Sequence, residues 1–235
     1  MFVSAIVPAA GLGLRLNRSL PKPLISLNKK PIFIHAVNIL SRHPDIKEII
    51  LVVSRYTLDS TARYLKKYRI RKIKKLVIGG SKRRNSVRNG LRWVSPKADL
   101  VLIHDAARPF IELNMVSRVI KKAQEKGAAI LGVPVKSTVK EVGVRNRVTK
   151  TLSRDRLYEI QTPQVFKRDL IIKAYKKFPY MRAVDDASLV ERLGGRVFVV
   201  FGSYFNIKIT TSEDLLFAHA ILKRHPFCQS RDTPF

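Results

Sequence analysis

Cysteine is almost absent from this chain of 235 residues, since Cys228 is the only one. A single thiol cannot form an intrachain disulfide, and it excludes zinc sites that are built from pairs of cysteines. We therefore expect a protein of a reducing compartment.

Long hydrophobic runs are absent as well. The longest, such as residues 128–135, have about eight residues, whereas a membrane-spanning helix needs roughly 20. The apolar start, residues 2–14, contains two glycines and a proline and lacks the positively charged region that opens a signal peptide. We expect a cytoplasmic protein that makes no membrane contact.

Acidic residues are scarce. The chain has 17 Asp and Glu against 46 Lys and Arg, which gives a formal net charge of +29. This excess is far beyond what solubility requires and favours an anionic partner, such as nucleic acid, acidic lipid or a phosphorylated substrate. A generally basic proteome would produce the same charge with no partner. The densest basic run, KKYRIRKIKK at 66–75, fits either a solvated connection or a nucleic-acid patch.

The residues that are present indicate a globular α/β fold. Hydrophobic residues make up 46% of the chain, which excludes disorder, and no fixed-period repeat is present. Short β-branched runs alternate with amphipathic stretches, as in a parallel sheet with helical crossovers. The predicted strands are 2–7, 48–53, 75–78, 99–104, 128–133, 197–201 and 207–210. The predicted helices are 32–40, 57–68, 86–94, 114–126, 167–178, 185–193 and 212–225.

Residues 134–157 interrupt this alternation, because they are polar, alternating and punctuated by Gly143 and Asn146. The pattern predicts a projecting β-hairpin, here called the arm, which is too small to hold a core and so needs another surface, most simply a second copy of the chain. We expect residues 1–225 to form a single domain that contains the arm, with residues 226–235 as a loosely ordered tail.

Two glycine-bearing loops directly follow predicted strands: PAAGLGLR at 8–15 and GGSKRRNSVRNGL at 79–91. Small residues let backbone amides approach phosphate groups, although neither loop is a Walker loop and the dinucleotide fingerprint fails at Leu16. Arg15 and Lys22 add cations that suit a triphosphate. The plain alternatives are a tight strand-to-helix turn and a surface loop with scattered charge.

A third segment, HDAARPF at 104–110, lies at the carboxyl end of a predicted strand, where open parallel sheets bind ligands. Asp105 beside a cationic cluster suits a divalent metal that bridges phosphate oxygens. An ion pair between Asp105 and Arg108 is the structural alternative. We interpret His104 as a packing residue, since no second histidine lies at ligand spacing.

These motifs carry a specific resemblance. PAAGLGLR, LPKPL, GGSKRRNSV, HDAARP, PVKSTVK, QTPQVF, DDASL and GSYFNIKITTSEDL occur in the order and approximate spacing found in the 2-C-methyl-D-erythritol 4-phosphate cytidylyltransferases of isoprenoid biosynthesis, over residues 3–225 or so. HDAARP, QTPQxF and NIKIT together are specific to this family and its pentitol-phosphate relatives.

The resemblance implies a Rossmann-like, mostly parallel sheet flanked by helices, and transfer of a cytidylyl group from CTP to methylerythritol phosphate with release of pyrophosphate. It implies Mg²⁺ or another divalent cation, held by Asp105. The catalytic residues that it implies are Arg15, Lys22 and Lys208. The nucleotide-binding residues are Ala9, Ala10, Gly11, Gly13, Gly79, Gly80, Ser81, Arg83 and Ser86.

The same resemblance implies a homodimer whose acceptor site lies between subunits. The sugar-alcohol phosphate would contact Arg108, Thr138, Lys140, Arg154 and Thr162, with the arm of one subunit reaching its partner's site. Each of these residues also has an ordinary structural explanation. Three positions depart from the family pattern: Pro23, Ser137 and Val184 stand where Gln, Asp and Thr are common.

Two other functions remain open from the sequence. A pentitol 5-phosphate cytidylyltransferase would use the same chemistry on another acceptor. A nucleic-acid-binding protein on this scaffold would explain the charge of +29 more fully, although the chain has no interleaved aromatic residues, recognition-helix motif or zinc finger.

Overall fold

A seven-stranded sheet forms the centre of the computed structural model. The structure describes residues 1–11, 22–181 and 183–224 except the side chains of Lys22 and Arg224. The strands are β1 (Val3–Ala9), β2 (Ser26–Leu27), β3 (Lys30–Pro31), β4 (Ile46–Val53), β5 (Ile73–Ile78), β6 (Leu100–Ile103), β7 (Ala128–Pro134), β8 (Val139–Val142), β9 (Val148–Leu152), β10 (Tyr158–Lys167) and β11 (Phe198–Phe201). The helices are α1 (Ile32–Arg42), α2 (Leu58–Lys67), α3 (Arg83–Leu91), α4 (Leu113–Lys126), α5 (Arg168–Lys177), α6 (Ala187–Arg192) and α7 (Ser212–Arg224).

The sheet is parallel except at one strand. Its order is β11-β7-β10-β6-β1-β4-β5, and β10 runs antiparallel to both of its neighbours, β6 and β7. The pairs β1–β4, β1–β6, β4–β5 and β7–β11 are parallel. The predicted fold class, a Rossmann-like and mostly parallel sheet flanked by helices, is confirmed.

Helices cover both faces of the sheet, because its central strands bury apolar side chains on both sides. One core contains Val3, Ala5 and Val7 of β1 together with residues of α1, α2 and α4. The other contains Ile6 of β1 and residues of α3, α5 and α6. A third, smaller core joins α7 to residues 25–32 through Leu215, Ala218 and Leu222.

Two segments differ from the sequence prediction. No strand was predicted for residues 158–167, because Pro163 and the polar residues Gln161, Thr162 and Gln164 are unusual inside a sheet, yet they form β10. The strand that was predicted for 207–210 is not a sheet strand. This segment is held by single contacts, such as the bond from Ile209 N–H to the Ala107 carbonyl at 2.9 Å.

The arm contains the predicted hairpin. Strands β8 and β9 pair antiparallel, with Val139 opposite Leu152 and Lys140 opposite Thr151. Most side chains from 138 to 156 are exposed, so the hairpin makes few contacts with the body of its own chain. The predicted tail, residues 226–235, lies outside the described residues. Among the helices that the structure describes, none combines the length and hydropathy of a membrane span.

Candidate active site

The loops that follow four parallel strands meet in one cleft of about 710 Å³. They come after β1, β4, β5 and β6, which are neighbours in the sheet, so their carboxyl ends open at the same edge. In open α/β sheets this edge is where ligands bind. The walls include Ala9, Ala10, Gly11, Ser54, Arg55, Tyr56, Gly79, Gly80, Ser81, Lys82, Arg83, Ser86, Asp105, Ala106, Ala107, Lys208 and Thr210.

Gly79 lets two of these loops approach each other closely. A Cβ atom there would lie 2.4 Å from the Cβ of Ala10 and 2.7 Å from the Ser86 hydroxyl, so no side chain fits without moving one of them. The neighbouring Gly80 N–H donates to the Ser86 hydroxyl at 3.2 Å. Glycine at 79 and serine at 86 therefore fix the wall of the cleft at the start of α3.

Asp105 is the carboxylate of the cleft, and two cations bind it. Arg83 Nε lies 2.6 Å from Oδ1, and Lys208 Nζ lies 2.6 Å from Oδ2. Burial alone would raise the pKa of Asp105, but Arg83 and Lys208 hold it well below its usual range. The carboxylate is therefore ionised at neutral pH, and its partners are not the Arg108 side chain that the structural alternative suggested.

Lys208 reaches the cleft because the NIK segment is anchored on both sides. Asn206 donates from Nδ2 to Gln161 Oε1 at 3.1 Å and to the Thr162 carbonyl at 3.0 Å. On the other side, Ile209 is buried and its N–H binds the loop after β6. The side chain of Lys208 remains 38% exposed, so the ammonium can meet both Asp105 and a ligand.

His104 and Thr162 form a hydrogen-bonded series that supports the backbone of Asp105. The Asp105 N–H donates to the Thr162 hydroxyl at 3.0 Å, and that hydroxyl lies 3.1 Å from Nδ1 of His104. His104 Nε2 lies 3.1 Å from the Arg108 carbonyl. These contacts are satisfied together by a neutral imidazole that donates from Nε2 and accepts at Nδ1. His104 is fully buried, which confirms its interpretation as a packing residue.

The three arginines of the GGSKRRNSVRNGL segment have different partners. Arg83 alone lines the cleft. Arg84 donates to the carbonyls of Phe178 and Met181, and Arg88 donates to the Pro179 carbonyl at 3.3 Å. Arg84 and Arg88 do not line the cleft and instead hold the 178–181 segment.

Comparison with known proteins identifies the relatives of this chain. The family model of IspD, 2-C-methyl-D-erythritol 4-phosphate cytidylyltransferase, matches residues 3–224. The chain belongs to the IspD family. Two relatives called 2-C-methyl-D-erythritol 4-phosphate cytidylyltransferase come from Alkaliphilus metalliredigens (strain QYMF), 44% identical over 94% of this chain and 93% of the relative, and from Syntrophus aciditrophicus (strain SB), 46% identical over 94% and 96%.

A solved structure agrees with this assignment. The crystal structure of 4-diphosphocytidyl-2C-methyl-D-erythritolsynthase from Anaerococcus prevotii DSM 20548 is 37% identical to this chain, covers 95% of it and 96% of its own length, and has a TM-score of 0.85. The family resemblance that the sequence motifs predicted is thereby confirmed.

The structure brings together most of the CTP half of the predicted IspD site. The described residues that line the cleft as predicted are Ala9, Ala10, Gly11, Gly79, Gly80, Ser81, Arg83, Ser86, Asp105 and Lys208. Gly13 and Arg15 lie outside the described residues, as does the side chain of Lys22. The roles of all these residues in binding or catalysis stay predictions.

The predicted acceptor residues do not line this cleft. Arg108 donates to the Asn206 carbonyl at 2.6 Å, and the Thr162 hydroxyl accepts from the Asp105 N–H at 3.0 Å. Thr138, Lys140 and Arg154 are exposed on the arm, where Lys140 contacts the Thr151 hydroxyl at 2.6 Å and Arg154 donates to the Lys136 carbonyl. A ligand that contacts Thr138, Lys140 and Arg154 therefore does not lie in the described cleft of the same chain.

Sequence reasoning missed part of the cleft. Ser54, Arg55 and Tyr56 follow β4 directly, and Tyr56 is 85% exposed at the wall of the cleft. Their position after a strong parallel-strand pattern was the available signal, since neighbouring strands open at the same edge. The buried Asp186, whose Oδ2 lies 2.8 Å from Arg83 Nη2, carried no local signal of this contact.

We expect acid to destabilise the fold through His104. Burial lowers the pKa of His104 from 6.5 to about 4. An unfolded imidazole binds a proton at higher pH than the folded one, so stability is complete above the unfolded pKa and is lost as the pH falls toward the folded pKa. The loss amounts to about 3 kcal/mol at roughly 1.36 kcal/mol per pKa unit. Denaturant unfolding between these two pKa values measures it.

Two histidine variants make this test specific. His104→Gln should reduce the pH dependence of the free energy of unfolding, whereas His219→Gln, at an exposed position of α7, should leave it unchanged. Equal slopes in the wild type and His104→Gln would contradict a neutral buried imidazole.

Proposed function

We propose that this chain joins CTP and 2-C-methyl-D-erythritol 4-phosphate to give 4-diphosphocytidyl-2-C-methyl-D-erythritol and pyrophosphate. The observation that carries the proposal is the cluster of Lys208, Asp105 and Arg83 at the cleft between the glycine-bearing loops. Membership of the IspD family supports the same reaction.

The cleft suits a nucleoside triphosphate. Small residues at 9–11 and 79–81 expose backbone groups along one wall, so a base and ribose can approach without obstruction. Lys82, Arg83 and Lys208 place positive charge beside that wall, where the phosphates of a bound nucleotide would lie. By the family resemblance, Arg15 and Lys22 add two more cations to the same region.

The reaction needs positioned charge more than a covalent group from the protein. An oxygen of the acceptor phosphate attacks the α-phosphorus of CTP in line, a new P–O bond forms, and the bond to the β-phosphate breaks to release pyrophosphate. Bringing two polyanions together and adding charge at the α-phosphorus are the main barriers, and fixed cations lower both. Lys208 is the described cation best placed to do so, because its ammonium is held by Asp105 while remaining partly exposed.

Asp105 fits the role of a single protein ligand for Mg²⁺. Mg²⁺ is commonly held by one or two carboxylates together with substrate phosphates, and it would neutralise charge on the phosphate oxygens. Among the described residues there is no group of three or more His, Cys, Asp or Glu side chains that could hold a metal alone. Nucleotide phosphates and water would supply the remaining ligands.

A homodimer built through the arm completes the proposal. The arm exposes apolar side chains, with Val144 87% exposed, and β11 at the edge of the sheet exposes Val199 and Phe201. An exposed hairpin and an exposed apolar sheet edge are each typical of surfaces that pair with another chain. A partner's arm would bring Thr138, Lys140 and Arg154 to the acceptor beside Arg108 and Thr162.

Pyrophosphate release with a panel of sugar phosphates tests the function directly. We expect turnover with CTP and 2-C-methyl-D-erythritol 4-phosphate, much less with ribitol 5-phosphate or with ATP, and none when EDTA removes divalent ions. Preference for ribitol 5-phosphate would move the chain to the pentitol acceptors. Full activity in EDTA would contradict the proposed metal dependence.

We expect Lys208→Ala to lower kcat about a hundredfold, which corresponds to roughly 3 kcal/mol of lost transition-state stabilisation, while KM for CTP rises much less. Lys121→Ala is the matched control, because it removes the same charge from an exposed position on α4. Near-normal turnover of a folded Lys208→Ala protein would remove Lys208 from the mechanism.

Mixed dimers test the shared acceptor site. We expect Arg154→Ala to weaken binding of the sugar phosphate more than that of CTP, since a charge-assisted hydrogen bond contributes roughly 1.5 to 3 kcal/mol. Mixing Arg154→Ala with Lys208→Ala should restore activity, because one site of each heterodimer then has both native residues. The measurement is turnover against mixing ratio, with heterodimer mass verified.

A second mixture provides the control for subunit exchange. Asp105→Asn mixed with Lys208→Ala should gain nothing, because both residues belong to the same chain's cluster. Heterodimers of Arg154→Ala and Lys208→Ala that also gain nothing would place Arg154 in the site of its own subunit.

A further inference from the structure

A continuous series of four short contacts runs from the cleft into the interior. Lys208 Nζ lies 2.6 Å from Asp105 Oδ2, and Asp105 Oδ1 lies 2.6 Å from Arg83 Nε. Arg83 Nη2 lies 2.8 Å from Asp186 Oδ2, and the Tyr175 hydroxyl lies 2.5 Å from Asp186 Oδ1. The residues come from five separate segments, so the tertiary fold alone brings them together.

The inner half of this series is deeply buried. Asp186 is 1% exposed and Tyr175 is 4% exposed, so neither can contact a ligand in the cleft. Burial and the nearby Asp186 raise the pKa of Tyr175 well above its usual value, which leaves the phenol protonated as a hydrogen-bond donor to the carboxylate. With Asp105 and Asp186 opposite Arg83 and Lys208, the cluster has two charges of each sign.

Asp186 is the N-cap residue of α6, but its side chain makes no hydrogen bond to the start of that helix. The neighbouring Asp185 binds the first turn of α6, because its Oδ1 accepts from the Ser188 N–H at 3.0 Å. Its Oδ2 accepts from Gln164 Nε2 at 2.7 Å. The carboxylate of Asp186 is directed at Arg83 and Tyr175 instead. A buried negative charge without a role at the helix end is costly to retain, and its partners indicate what it does.

We propose that Asp186, held by Tyr175, is a positioning residue that orients Arg83 on Asp105 and so fixes Lys208 for the reacting phosphate. The inference rests on the proposed function, since it assigns to Lys208 the stabilising role described above. Without Asp186, the Arg83 guanidinium would keep only Asp105 as a carboxylate partner, and the contact that fixes its orientation from the Nη2 side would be lost. Asp105 would then hold the Lys208 ammonium in a broader range of positions.

The first test compares the two adjacent aspartates. We expect Asp186→Asn to lower kcat about tenfold with a smaller change in KM for CTP, because it removes one charge-assisted contact that positions a catalytic group. Asp185→Asn should keep kcat within about twofold, even if it lowers Tm through loss of its contacts at α6. Tyr175→Phe should lower kcat less than Asp186→Asn.

A double-mutant cycle separates positioning from a general loss of stability. If Asp186 acts through Arg83, the effect of Asp186→Asn on kcat should largely disappear in an Arg83→Lys background, since a lysine cannot bind both carboxylates as the guanidinium does. The same effect in both backgrounds would overturn the proposal. So would a folded Asp186→Asn protein with the kcat of the wild type.

A readout that needs no turnover keeps this test apart from the proposed reaction. Reductive ¹³C-methylation gives each lysine an NMR resonance, and Lys208→Arg identifies the one from Lys208. In Asp186→Asn that resonance should move toward its position in Asp105→Asn, whereas Asp185→Asn should leave it in place. An unmoved resonance would refute the positioning role, while a wild type without cytidylyltransfer would refute only the proposed reaction.

Discussion

The burial of Asp105 in its ionised form is the constraint on which the rest of this site depends. A carboxylate at the end of β6 is removed from most of its water, and two cations have to compensate for that loss. Arg83 comes from the first turn of α3, and Lys208 comes from an extended segment before α7. The docking of both segments is thereby tied to the same pair of carboxylate oxygens.

The sequence was most informative where local pattern and position coincide. Residues 2–7, 48–53 and 75–78 are apolar runs rich in β-branched residues and followed by small or charged residues, so the parallel strands and the loops at their carboxyl ends could be predicted. The hairpin of the arm could also be predicted, because an alternating polar segment that is interrupted by Gly143 has few other interpretations. The HDAARP and NIKIT motifs pointed correctly to Asp105 and Lys208 as members of one cleft.

The remainder depends on contacts between distant residues. The structural alternative paired Asp105 with Arg108, three positions away, whereas the partners of Asp105 lie 22 positions before it, at Arg83, and far beyond it, at Lys208. No local pattern shows that Asp186 is the second carboxylate that binds Arg83. Strand β10 escaped prediction for a related reason: its polar residues are tolerated in the sheet because they bind His104, Asp105, Asn206 and Asp185, all of which are remote in sequence.

The order in which this chain is synthesised gives the site a further property. The first residue that lines the cleft is Pro8, and the charged cluster is completed by Lys208 after the Asn206 anchor, so the cleft draws on nearly the full span of the fold. During translation, β1, β4, β5 and β6 emerge early and can associate, but Asp105 gains its second cation only after residues 206–210 have left the ribosome. A nascent chain halted before that point would have a sheet whose Asp105 lacks one of its two cations, so formation of the contact between Lys208 and Asp105 reports that residues 206–210 have docked.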